Sequence, residues 1–303
     1  MASGAVGFGV RWGINSYPDV TGDAVVKTPF ANSPEFRRLV DGETGVSLPR
    51  IALEIARDAY PSLDIDAYLA RIDELSARVR LRCGLGARPK TMIGHVNWVL
   101  FVEEGFTGNQ GEYYDPRNSY LNEVIDRRTG IPISLSILFA AVAGPIGLDV
   151  RGVNLPSHYL LRVVGVDPPL FVDPFHDGAM LDRAGCEARV AEALGRPVAL
   201  ADEILEPCAA KVTVSRMLRN LKDVFVRDFD LIAALRIARR QGILDPLDLD
   251  LQRDWGLLAS QTGHPGEAIG PLARYTEGRP NSTDVAAVVE ILRIARREVA
   301  ASN

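Results

Sequence analysis

Arg127-Arg128-Thr129-Gly130-Ile131-Pro132-Ile133-Ser134-Leu135 is the stretch from which the fold can be read. Thr129-Gly130 closes one helical pattern, glycine being the usual punctuation past a helix C-terminus. Pro132 then stands where a helix tolerates proline, in the first turn. The residues after it, 133–143, are apolar nearly all round, so this helix belongs in the interior. Upstream, Leu121, Val124 and Ile125 share one helical face, and Asn118 or Ser119 stands in capping position. Downstream of Gly147 the pattern becomes strand-like over 148–155, 158–166 and 170–173, with Asp167-Pro168-Pro169 separating the last two. A buried helix followed by antiparallel strands predicts an α+β core.

Further out, 93–104, 64–80 and 48–59 read as helices, the middle one amphipathic through Tyr68, Leu69, Ile72, Leu75 and Val79. They form a structural cap on the core. Residues 1–33 mix Gly, Pro, Ser and Asn without sustained periodicity and read as an irregular arm without chemistry. The stretch 182–210 has weak periodicity and reads as a connector. Beyond 212 the chain is helical, and Pro246 and Pro280 stand 34 residues apart, the tetratricopeptide length. Gly256, Ala268 and Pro280 occupy the offsets where that repeat places its small contact residues and terminal proline; Ala234 and Pro246 mark a degenerate first unit. The expected organisation is an arm over 1–33, a core with its helical cap and connector over 34–210, and an all-α tetratricopeptide-like tail over 211–303.

A chain of 303 residues with 47% hydrophobic and 24% charged residues buries enough apolar surface to fold, which excludes wholesale disorder. A net charge of −5 gives no broad attraction for nucleic acid or anionic lipid. The basic pairs Arg127-Arg128, Arg239-Arg240 and Arg296-Arg297 read as solvated helix faces. Cys83, Cys186 and Cys208 are an odd count without a C-x-x-C, which suggests reduced thiols rather than disulfides or a zinc site. Residues 1–13 lack the basic and apolar regions of a secretory signal, and no stretch reaches the roughly 18 apolar residues of a membrane helix. The expectation is a cytoplasmic protein with no cofactor, no nucleic-acid partner and no membrane partner.

Four motifs carry a resemblance: Tyr113-Tyr114-Asp115-Pro116-Arg117-Asn118-Ser119, the stretch at 127–135, Gly152-Val153-Asn154-Leu155-Pro156-Ser157-His158-Tyr159-Leu160-Leu161-Arg162, and Val172-Asp173-Pro174-Phe175. In this order, from about residue 33 to the C-terminus, they resemble the bacterial SirB-type proteins, whose core also appears in an animal F-box protein. The resemblance implies a papain/transglutaminase-like core joined to tetratricopeptide-like helices. The wider superfamily uses a cysteine at a helix N-terminus, a histidine on a strand and an aspartate on the next strand. There the helix dipole and imidazole lower the thiol pKa while the carboxylate orients the ring. His158 matches the histidine and Asp173 the aspartate. The helix begins Pro132-Ile133-Ser134, with no cysteine on it.

Ser134 is the remaining candidate nucleophile, though a serine in that position equally caps its own helix. His158 and Asp173 form either a catalytic pair or a satisfied polar pair, and they share a face only if the hairpin turn centres near 165–166 or differs by an even shift. Arg162 lies on the His158 face, ready to bind a carboxylate or phosphate or to pair with Asp173. His158, Asp173, His176 and Asp177 lack a recognised ligand spacing, so no metal is expected. Cys186 reads as a small hydrophobe in a loop.

Two functions follow. The first is a peptide- or protein-binding or regulatory module, with ligand contacts from Tyr114, Asn118, Ser119, Arg162 and His158 and a protein partner on the tail. The second is a non-thiol amide hydrolase or acyl-transfer enzyme with His158 and Asp173 as its base. An open cleft above the pair favours the enzyme, a sealed one the binding or structural role.

Overall fold

The computed structural model describes residues 33–302 except Leu85, so all but the last residue of the 1–33 arm lies outside the described residues. The chain opens with four helices, α1 (Pro34–Val40), α2 (Leu48–Ala56), α3 (Ile65–Arg82) and α4 (Pro89–Asn97), the last running on as a π-helical segment, Trp98–Glu103. Two-residue strands β1 (Thr107–Gly108) and β2 (Thr129–Gly130) pair in parallel on either side of α5 (Leu121–Arg127). Then come the helix α6 (Pro132–Ala143) and four strands, β3 (Val150–Leu155), β4 (His158–Val163), β5 (Phe171–Asp173) and β6 (Ala179–Leu181), paired antiparallel in chain order. The local chemistry fits these bounds: Ser47 and Asp64 cap α2 and α3 by accepting from Arg50 N–H and Ala67 N–H.

The expected buried helix is at the centre. Ten of the twelve residues of α6 are buried, because α3 and α4 pack on it from the cap and β3 and β4 from the sheet. Strand alternation divides the sheet between two interiors. Val150, Tyr159, Leu161, Val163 and Val172 join the cluster around α6, whereas Val153, Leu155, Leu160 and Phe171 form a separate cluster with Cys186, Val190, Leu200 and Leu205. That second face is covered by α7 (Arg183–Leu194), a twelve-residue helix in the stretch expected to be a connector. Only Cys186 and Val190 of α7 are buried, too few to give a periodic stripe in sequence. Its ends nonetheless carry plain signals, Asp182 as N-cap and Gly195 as the left-handed residue after the last turn.

The C-terminal part is helical among the described residues, with α8 (Ala210–Arg227), α9 (Leu231–Leu244), α10 (Leu249–Gln261), α11 (Pro265–Gly278) and α12 (Val285–Ala301). The helices break at Pro246 and Pro280, as expected from the 34-residue spacing. At the crossing of α10 and α11 a side chain on Gly256 would sit 2.5 Å from Leu272, and Ala268 is fully buried beside it. These helices do not stand apart from the rest. Phe36, Leu39, Ile51, Ile55 and Tyr120 share one apolar cluster with Leu218, Leu221, Phe225, Ala234 and Ile237, while Met217 on α8 reaches the cluster around α6.

One expectation is overturned here. Arg239 and Arg240 do not face solvent: they are 5% and 0% exposed, Arg239 gripping Glu267 and Arg240 gripping Asp58. A doublet of arginines is consistent with either state, and only the facing carboxylates decide it.

Candidate functional site

The tight β3–β4 connection, Pro156-Ser157, delivers His158 as the first residue of its strand, paired with Leu155. Ser157 turns the corner with φ of +58°, a left-handed conformation that costs a non-glycine residue of the order of 1 kcal/mol. On the next strand Leu161 faces Val172. This register is two residues away from one that would set His158 directly opposite Asp173, and an even shift keeps both side chains on one face. They meet, with His158 Nε2 3.1 Å from Asp173 Oδ1.

Asp173 is fully buried and holds three cationic or ionisable neighbours. His176 Nδ1, on the single-turn helix Pro174–His176, lies 2.7 Å from its Oδ2, and Arg189 Nε on α7 lies 3.0 Å from the same oxygen. Burial pushes the Asp173 carboxyl up, but the contacts and charge of His158 and His176 outweigh it and hold the group below the usual aspartate range. Arg189 was not foreseen. Arg162, read as binding a carboxylate or phosphate or else pairing with Asp173, turns to Glu206 at 2.5 Å and to the Leu205 carbonyl, because its end of β4 lies under the 202–205 turn rather than beside β5's last residue.

Phe175 closes the site from one side. Its ring lies 6.2 Å from the His158 ring and 6.3 Å from that of Tyr113. A side chain at Gly108 would stand 2.4 Å from the Phe175 carbonyl oxygen, so this approach of β1 to the Pro174–His176 turn needs glycine. His158 is 7% exposed, and the pair is therefore sealed rather than set in the floor of an open cleft.

The N-terminus of α6 is built differently from a nucleophile-bearing one. Ser134 Oγ donates to the Asn118 carbonyl at 2.7 Å and accepts from Ile131 N–H at 3.1 Å. Asn118, fully buried, donates to the Glu112 and Tyr113 carbonyls and accepts from Asn109 Nδ2. The 113–119 motif is thus a knot that ties the 109–113 loop to the start of α6. Ser119 is buried beside it, and Tyr114 is exposed with Arg227 stacked on its ring at 4.2 Å. Among the described residues no serine, threonine or cysteine side chain hydrogen-bonds to His158. Cys186, expected in a loop, is fully buried on α7, and burial pushes its thiol up to about 12. Burial also raises the Cys83 thiol.

A second feature begins at the same hairpin. Arg216 on α8 donates to Asn154 Oδ1 and to the Leu155 carbonyl, both at 2.6 Å. With Asn154, Lys211, Ser215, Arg219 and Asp245 it lines a cavity of about 360 Å³. Burial lowers the Arg216 guanidinium below its ordinary value, and no carboxylate among the described residues pairs with it or with Arg219. Lys211 has Asp245 at 3.5 Å.

Comparison with known proteins identifies the family of the chain. A family profile described as the transglutaminase-like superfamily matches residues 66–219. A UPF0162 protein of Xylella fastidiosa (strain 9a5c) is 38% identical over 250 residues, which cover 81% of this chain and 88% of the relative. A UPF0162 protein of Vibrio cholerae is 26% identical over 234 residues, 77% of this chain and 82% of the relative. The mouse F-box only protein 21 is 38% identical over 100 residues, 30% of this chain and 16% of the relative. No solved structure matches the chain at a significant level. No helix among the described residues is long and apolar enough to cross a membrane.

Proposed function

This chain belongs to the transglutaminase-like superfamily, within the family of UPF0162 proteins, and from that premise we propose that it works by binding an acidic segment of a protein partner rather than by acyl transfer. Arg216 carries the reading. A half-buried guanidinium whose hydrogen bonds go to an amide and a backbone carbonyl, with no carboxylate among the described residues, is an incomplete charge pair, and an acidic side chain entering the cavity beside Lys211 and Arg219 would complete it with charge-assisted hydrogen bonds. The sealed His158 and the commitment of Ser134 to backbone support the same view, since they leave no activated nucleophile at the start of α6. In this reading the transglutaminase-like core supplies a rigid frame and the C-terminal helix pairs extend the surface. Their tetratricopeptide-like character is supported by the close approach of Gly256 to Leu272, and a SirB-type kinship by the four ordered motifs.

A fluorescent hexaglutamate peptide titrated into the whole protein tests this directly. Binding should weaken with salt and at least fivefold in the exposed-site variant Lys211→Glu/Arg219→Glu. Binding indifferent to both changes would sink the proposal. So would amide hydrolysis or acyl transfer that survives alkylation of all three cysteines and disappears in His158→Ala, an outcome that would establish the pair as a catalytic base.

A further inference from the structure

The buried pair is in contact without an aligned hydrogen bond. His158 Nε2 and Asp173 Oδ1 face one another at 3.1 Å, both inaccessible, yet neither has a hydrogen-bond partner. Where Nε2 carries no hydrogen, it and the carboxylate oxygen present lone pairs to one another, and either a hydrogen on Nε2 or a metal cation between them removes the repulsion. A hydrogen on Nε2 would be the simplest link, but the contact is not aligned for a hydrogen bond. Unpartnered polar atoms are destabilising in an interior, and a ligand coordinated by both would relieve this.

His176 supplies a third donor. With one ring nitrogen from each histidine and one oxygen from Asp173, all three candidate ligand atoms lie within 4.8 Å of one another, and two of the three residues are buried. Tetrahedral coordination at about 2.0–2.1 Å sets ligand atoms about 3.3 Å apart, close to the 3.1 Å already present. His176 is 27% exposed at its side chain and sits on a single helical turn, so its ring has room to close the remaining gap. Arg189 occupies only Oδ2 of the carboxylate. Arg189 Nε makes no aligned hydrogen bond there and acts on the carboxylate by its charge, while His176 Nδ1 approaches the same oxygen at 2.7 Å, so Oδ1 is the oxygen left for an ion.

We propose that His158, Asp173 and His176 form a binding site for one divalent transition-metal ion of the zinc class, with Arg189 orienting the carboxylate. Two imidazoles and one carboxylate are a donor set for zinc or ferrous iron, and three protein ligands leave a position open to water or a small ligand. The site is independent of the basic cavity and does not rest on the peptide-binding proposal.

Calorimetric titration of Zn²⁺ into the metal-stripped full-length protein tests it, with Co²⁺ as a spectroscopic probe of the ligand set. One equivalent should bind with a dissociation constant in the micromolar range or tighter, and Co²⁺ should show the intense visible bands of low coordination. His176→Gln, at the partly exposed ligand, should weaken binding at least tenfold while the circular dichroism stays unchanged. His158→Gln should abolish it, and His95→Gln and His264→Gln should leave it as it was. Wild-type protein without a stoichiometric site overturns the proposal, as does tight binding that persists in His176→Gln or is lost with His264→Gln.

Discussion

Arg240 and Asp58 lie 182 residues apart in sequence and meet in a buried two-point fork, Nε to Oδ2 at 2.6 Å and Nη2 to Oδ1 at 2.8 Å. The Arg240 side chain is 0% and that of Asp58 6% exposed. The same guanidinium reaches the Glu54 carbonyl and lies over the Phe36 ring, so α9 is clamped to α1 and α2. Asp58→Ala strands a buried positive charge and should cost about 3–5 kcal/mol. The double variant Asp58→Leu/Arg240→Met should lose less than Asp58→Ala does, because it removes the charge along with its partner. Urea unfolding of the single and double variants reads both numbers.

Ser134→Ala separates a cap from a nucleophile. Loss of the bonds to Asn118 and Ile131 should lower stability by about 1–2 kcal/mol. Affinity for the acidic peptide should stay the same. Unchanged stability together with altered ligand chemistry would return Ser134 to the list of reactive groups.

Ser157→Gly should raise the thermal midpoint. The left-handed backbone at φ of +58° is strained for serine and open to glycine, and the gain, net of glycine's extra freedom in the unfolded chain, is up to about 1 kcal/mol. Ser157→Val should move the midpoint the other way, since a β-branched residue is the least tolerant of positive φ.

Glu267 sets an acid limit on the helical region. Burial raises its carboxyl, but the Arg239 and Trp255 hydrogen bonds more than offset this and hold it below the ordinary glutamate value. A carboxyl whose folded pKa lies under its unfolded one contributes stability above the unfolded value, about 4.3, and loses it as pH falls through the folded value. The difference in unfolding midpoint between the wild type and Glu267→Gln should be full above about pH 5 and should shrink steadily below pH 4. A gap that widens on acidification would contradict the assignment.

Cys186 should resist alkylation in the native protein at pH 8. Its thiol is pushed up to about 12 by burial and has no accessible surface. Mass spectrometry after brief iodoacetamide treatment checks this, and rapid labelling at Cys186 would mean that α7 opens readily from the sheet.

The buried helix was legible because its residues are apolar on every side and Pro132 marks its start, a pattern that leaves an interior position as the only stable one. Strands β3, β4 and β5 are legible in their apolar runs, whereas the short β1, β2 and β6 are not, and period two narrows the β4–β5 register to a parity that the sequence leaves open. Helix α7 is poorly legible in the sequence. With two buried residues it has almost no hydrophobic signal, so Arg189, the residue that completes the Asp173 cluster, had no helix to stand on.

Local sequence therefore determined what local physics controls: where helices start and stop and which segments are interior, while the face shared by His158 and Asp173 waited on the β4–β5 register. Tertiary structure alone decided the partners of the charges. Arg162 and Arg189 are equally able to reach a carboxylate, as are Arg239 and Arg240, and nothing near them in sequence ranks their choices. A long, flexible cation goes to whichever desolvated acid the packing of distant apolar surfaces leaves within about 3 Å. For Arg189 that acid is Asp173, for Arg162 it is Glu206, and for Arg216 there is none among the described residues.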